Sequence, residues 1–212
     1  MDYKKYANLP LFTGVSAQQI HHFHERGALR LVSIEPEEGN IIRQGGHCNS
    51  LTMLTKGTLV CHTQGNGWSL EEEIHAPAII EEEALWSLEQ TYMHTYRPIT
   101  PGQVIISERK AVIQTLMSNE IFRLNLLMRL SSRLSRSQKA TQWQSYPTIR
   151  QQIYAFIHSI QSTDTYPKLL HIKMKTLSDI IRQTRLNVSR ELNLMSEEGL
   201  IGLKREHIYI YK

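Results

Sequence analysis

Arg185, Leu186, Ser189, Arg190 and Asn193 fall on one side of a short helical pattern. Their chemistry is recognition rather than bond-making. Arg forks onto guanine, Asn onto adenine, and Leu meets a thymine methyl, so this face suits a DNA major groove. The opposite side is apolar: Val188, Leu192 and Met195 recur at the spacing of a buried stripe. Thr184 precedes the pattern as an N-cap. A second short helix is predicted before it, capped by Thr176 with Asp179 at capping-box spacing. Leu177, Ile180 and Ile181 form its apolar face. By periodicity alone, an ordinary solvated amphipathic helix reads the same way.

The following residues add to this. Gly199-Leu200-Ile201 closes the second helix. Gly202-Leu203-Lys204, the basic turn Arg205-Glu206-His207 and Ile208-Tyr209-Ile210-Tyr211-Lys212 then predict two strands around a turn. Residues 176–212 resemble the winged helix-turn-helix of the CRP/FNR superfamily of bacterial transcription regulators. The match rests on Leu177, Ile180, Ile181, Arg185, Val188, Arg190, Leu192, Gly199, Leu200 and Ile201, without a gap. The resemblance implies that Arg185 and Arg190 contact an operator. It implies a DNA interface of Thr184, Arg185, Leu186, Ser189, Arg190 and Asn193, with Lys204 and Arg205 on the wing. The family's frequent Glu between the two arginines is Leu186 here, and the usual turn Gly is Arg182.

The 212 residues suffice for one or two domains with a real core. At 41% hydrophobic residues the composition is that of a soluble globular protein, and no apolar run reaches the roughly 20 residues that span a bilayer. The N-terminus has no signal-peptide core, so the expected location is cytoplasmic. Cys48 and Cys61 lack metal-ligand spacing and read as buried or free thiols. Charge is segregated: residues 1–117 hold 9 Lys/Arg against 13 Asp/Glu, residues 118–146 hold 5 against 1, and residues 147–212 hold 10 against 6. The positive excess lies in the C-terminal half, as a polyanion partner requires.

Near the N-terminus, Leu11-Phe12, Gly14 and a helix capped by Ser16 resemble the opening of a cyclic-nucleotide-binding-type sensor. His22 and His24 point roughly 200° apart on that helix, which rules out a shared ion, and no metal site is expected. From Leu31 to about Ile113 short apolar runs alternate with turns at Pro36-Glu37-Glu38-Gly39, Lys56-Gly57 and Gly65-Asn66-Gly67, the pattern of a barrel or sandwich. Gly39, Ile42, Gly45, Leu54 and Gly57 fall where the superfamily's sensor barrel has its turns and strands. In cyclic-AMP-binding members a Glu holds the ribose and an Arg holds the phosphate. Here the segment gives Glu81, Glu82 and Glu83, with Thr91 and Tyr92 following, and Thr91 in the Arg position. This effector pocket is read as degenerate, because it lacks the guanidinium and its carboxylates repel a phosphate. The iron–sulfur members' N-terminal cysteine cluster is missing, and scattered candidates for haem ligation (His47, His62, His75, His94, Cys48, Cys61) read as surface or core residues. No cofactor is expected.

Residues 118–143 form the longest helical pattern, capped by Ser118, with an apolar seam of Ile121, Leu124, Leu127 or Met128, Leu130 and Leu134. A core helix of the barrel has the same pattern. The resemblance implies the dimerisation helix, paired with its twin in a parallel coiled coil. Ser145-Tyr146-Pro147 breaks the chain as a hinge, residues 148–162 read as a helix, and residues 169–174 as a strand. The expected architecture is α+β: a double-stranded β-helix (jelly-roll) sensor barrel over residues 1–117, a dimerisation helix over 118–145 and a winged helix-turn-helix over 146–212. The expected function is a homodimeric, sequence-specific DNA-binding regulator with an unknown or absent effector. Its partners would be a near-palindromic double-stranded operator and RNA polymerase. The rival is a cupin-like metal-dependent enzyme with an accessory C-terminal domain.

Overall fold

Ser16 shows how local chemistry starts the fold. Its hydroxyl accepts the Gln19 N–H at 3.3 Å while the Gln19 side chain accepts the Ser16 N–H at 3.0 Å, a reciprocal capping box. The computed structural model describes residues 4–140 and 146–211. It divides into two units, residues 1–59 with 74–133 and residues 60–73 with 134–212.

The first unit begins with α1 (Lys4–Ala7) and α2 (Ala17–Glu25), then β1 (Arg30–Ile34) and β2 (Ser50–Lys56). β3 (Thr58–Gly65) and β4 (Trp68–His75) follow, most of each belonging to the second unit, and then β5 (Ala78–Ile80), β6 (Thr95–Pro98) and β7 (Gly102–Glu108). An antiparallel sheet runs β1-β7-β2-β5, with Val32 opposite Val104 and Thr52 opposite both Ile106 and Ile80. Leu51, Met53 and Ile105 share its other face and are fully buried. The expected turns are present: Gly39, Gly57 and Gly67 all have positive φ. At Gly57 a Cβ would lie 2.8 Å from the Gly102 Cα, so close backbone approach as well as φ requires glycine. The β pattern ends earlier than expected. Residues Arg109–Gln114 form α3, because Val112 turns inward on a helical rather than an alternating period.

α4 runs from Glu120 to Ala140. Its cap is Asn119, not Ser118: Oδ1 of Asn119 accepts the Phe122 N–H at 2.9 Å, and the Ser118 hydroxyl instead donates to the Thr115 carbonyl. Phe122 and Leu126 are buried, and Phe122 stacks at 5.4 Å against Phe12.

The second unit contains α5 (Ile149–Ile160), β8 (Lys168–Ile172), α6 (Met174–Ile180), α7 (Arg185–Glu197), β9 (Ile201–Lys204) and β10 (His207–Ile210). Its sheet runs β3-β4-β8-β10-β9. β4 pairs antiparallel with β8 from Trp68–Ile172 to Glu72–Lys168. Leu70, Phe156, Leu170, Ile172, Leu177, Val188 and Ile210 are among the residues of one core. The hairpin of residues 60–73 therefore groups with the C-terminal elements, and α4 is divided after Arg133. α5 is capped by Thr148, as the pattern over 148–162 suggests. β8 is shorter than the expected strand, since Met174 already belongs to α6. The expected hinge falls partly outside the described residues, at Ser145, as do the ends of the patterns over 118–143 and 208–212. No helix among the described residues is long and apolar enough to cross a membrane.

Candidate nucleic-acid interface

α6 begins three residues before the expected start, at Met174. Lys173 occupies the cap position without a side-chain bond, and the Thr176–Asp179 capping box does not form. The reason is tertiary: Thr176 sits in the first turn, against the β3–β4 turn, where a Cβ on Gly67 would come within 3.1 Å of its methyl. Leu177 and Ile181 are buried, and Ile180 half-buried. Arg182 then takes a left-handed conformation, φ 55°, at the position where the resemblance places glycine. Arg182 is exposed, so its side chain meets no packing clash, but its Cβ still carries the cost of the left-handed backbone.

Thr184 is the N-cap of α7, its hydroxyl accepting the Asn187 N–H at 3.3 Å. Val188, Leu192 and Met195 are buried, as predicted. Thr184, Arg185, Leu186, Arg190 and Asn193 are exposed and Ser189 is half-buried. Behind α7, Arg150 of α5 holds Glu191 at 2.6 Å and grips Glu198 through two bonds of 2.7 and 2.8 Å. Those bonds pull the Glu198 carboxyl below its usual 4.5, so the clamp stays charged near neutrality.

Gly199, with φ 72°, ends α7, and β9 and β10 form a hairpin with Lys204 opposite His207. Lys204 and Arg205 are exposed at its tip, the Lys204 ammonium 5.1 Å from the Tyr209 ring centre. The guanidinium groups of Arg185, Arg190 and Arg205 have no ion-pair or hydrogen-bond partner among the described residues. This sets them apart from Arg129, Arg133, Arg136 and Arg150, all of which pair with carboxylates.

In the first unit, Glu81, Glu82 and Glu83 each meet a different set of partners. Glu81, buried and left-handed (φ 39°), accepts the Met93 N–H at 2.7 Å and meets His94 Nδ1 at 2.6 Å. Glu82 is fully buried and accepts from Arg129 at 2.7 Å and Arg133 at 3.4 Å, while Glu83 pairs with Arg133. Burial pushes the Glu83 carboxyl up, and the Arg133 charge opposes that. The segment's own residues supply no guanidinium. Two are present, supplied by α4 from 47 and 50 residues away, and both are engaged. Thr91 bridges His47 through the backbone, and Tyr92 is buried beside Ser50.

α4 turns its arginines and its apolar seam in opposite directions. Leu124, Leu127 and Leu134 are 51, 53 and 61% exposed, Ile121 is also exposed and Leu130 half-buried. Met128, at 68% exposure, continues the stripe. Cys48 and Cys61 are buried free thiols. No three His, Cys, Asp or Glu side chains among the described residues converge to hold a metal.

No family model and no curated protein matches the sequence. Solved structures do match it. The catabolite activator protein of Thermus thermophilus is 16% identical over 95% of this chain and 93% of its own, with a TM-score of 0.51. The c-di-GMP-responsive global regulator CLP of Xanthomonas campestris is 15% identical over 93% of this chain and 100% of its own, at 0.53. A transcriptional regulator described as CRP/FNR family, from Eubacterium rectale, is 16% identical over 97% of this chain and 94% of its own, also at 0.53. The chain has the CRP/FNR fold. Within that fold the acidic segment, expected to meet no guanidinium, pairs with Arg129 and Arg133 of α4. The signal that could have found this is the i, i+4 pair Arg129/Arg133 on the side of α4 away from the leucines.

Proposed function

We propose that this protein is a homodimeric, sequence-specific DNA-binding transcription regulator. In this reading the first unit is a jelly-roll sensor, α4 is the dimerisation helix, and α6, α7 and the β9–β10 hairpin are a winged helix-turn-helix. The observation that carries it is α7: capped, buried along its back, and presenting Arg185 and Arg190 without intrachain partners among the described residues. An exposed arginine that a protein leaves unpaired beside an Asn and a Ser is poised for an external anion and a base edge. Thr184 and Ser189 would meet phosphates, and Lys204 and Arg205 would hold the flanking backbone. The exposed leucine stripe on α4 is the surface a second copy would cover, and two-fold symmetry then gives two readers per dimer. The absence of a converging metal-ligand set among the described residues disfavours the metal-enzyme alternative.

The test is selection from a random duplex pool. A near-palindromic motif is expected, its half-sites about 34 Å or one helical turn apart. Arg185→Ala should cost about 1–3 kcal/mol per half-site and relax one base position. Lys204→Ala should weaken all sequences alike and reduce the salt slope by roughly one. A wild-type pool with no motif above background, or an unchanged motif with Arg185→Ala, sinks the reading.

A further inference from the structure

The carboxylates of the acidic segment pair with α4 arginines and His94. The first unit has an opening elsewhere. A cavity of about 530 Å³ lies between the β1-β7-β2 face and residues 38–49. This is within the roughly 300–1,000 Å³ that small-molecule sites occupy. Its floor is aliphatic: Val32 and Val104, opposed in register, with Ile34 and Ile106. Tyr92 closes one side, and burial raises its phenol, so it remains a neutral donor.

The rim decides the ligand's charge. The Arg43 side chain is exposed and its guanidinium has no ion-pair or hydrogen-bond partner among the described residues. His47 lies near it in sequence on the same lining, and Glu38 is the one carboxylate among the residues that line the cavity. A guanidinium only donates, and it pairs bidentately with a carboxylate. One Arg set against one Glu accommodates a single negative charge but opposes a dianion. We propose that this cavity binds a small monocarboxylate with an apolar body, its carboxylate on Arg43 and its body on the Val32–Val104 floor. As an effector site this rests on the regulator reading. As a binding site it does not.

Calorimetry on the full chain tests it with octanoate, octanamide and octyl phosphate. Octanoate should bind at least about tenfold more tightly than either of the other two. Arg43→Gln should erase the octanoate–octanamide difference, and Glu38→Gln should tighten octanoate. Val104→Phe should fill the floor and abolish binding. Val32→Phe, at a less buried position, serves the same purpose if circular dichroism finds Val104→Phe unfolded. The proposal is overturned by no heat from millimolar octanoate, by equal binding of octyl phosphate, by Arg43→Gln retaining the preference, or by folded floor variants that still bind. Duplex selection on the same preparation separates the two readings. Octanoate binding with no DNA motif supports the cavity and removes the regulator. A DNA motif with no octanoate binding does the reverse.

Discussion

At the scale of single residues, Lys168 and Glu72 form a buried ion pair. Both side chains are fully buried, 2.6 Å apart, and Lys168 also donates to the Thr163 carbonyl. Glu72 in turn accepts the Ser162 N–H at 2.7 Å and the Ser162 hydroxyl at 3.0 Å. Neither charge has water as an alternative partner, so removing one strands the other. Glu72→Ala should cost about 3–5 kcal/mol in denaturant unfolding, whereas the double change Glu72→Leu with Lys168→Met should restore most of it. Equal losses in the single and double variants would mean that packing, not charge, is at stake. This pair also shows why parts of the site were illegible. Its members are 96 residues apart, and no local periodicity links a strand glutamate to a lysine in another strand. The Arg185 and Arg190 face was legible because helix spacing alone fixes which side chains share a side.

Among elements, α4 serves two surfaces at once. One side sends Arg129 and Arg133 to buried carboxylates, and the other leaves leucines in solvent. Exposed leucines in a row are unfavourable unless covered. Replacing Leu127 and Leu134 with Lys should therefore leave the monomer folded while abolishing self-association. Light scattering and circular dichroism together check this. A persistent dimer would place the interface elsewhere. The seam's spacing was readable from sequence, and so was Thr184, whose capping bond needs only three residues of context. The start of α6 was not readable in this way. Thr176 has good capping chemistry, but the β3–β4 turn packs against it, and tertiary contact prevailed over local preference.

For the whole molecule, charge and connectivity pull apart. Residues 1–117 carry the acidic excess and the residues beyond them the basic excess, but residues 60–73 group with the C-terminal elements. The overall layering was legible because strand runs and helix runs differ in period. The grouping was not, because β4 meets β8 by backbone bonds, which leave no mark on side-chain pattern.

That ladder has a consequence for cutting the chain. A fragment of residues 147–212 keeps every residue of the α7 face, yet it loses the strand that covers β8. Leu169 and Leu170 would then belong to an open sheet margin, a template for pairing with other copies. Lys168 would lose its counter-ion in the same stroke. Such a fragment should aggregate at micromolar concentration, and adding a peptide of residues 60–75 in trans should rescue its solubility. A fragment that stays monomeric and binds the selected duplex unaided would make the hairpin dispensable. If the rescue works, the reader is a split fold, whose missing piece is encoded more than seventy residues upstream.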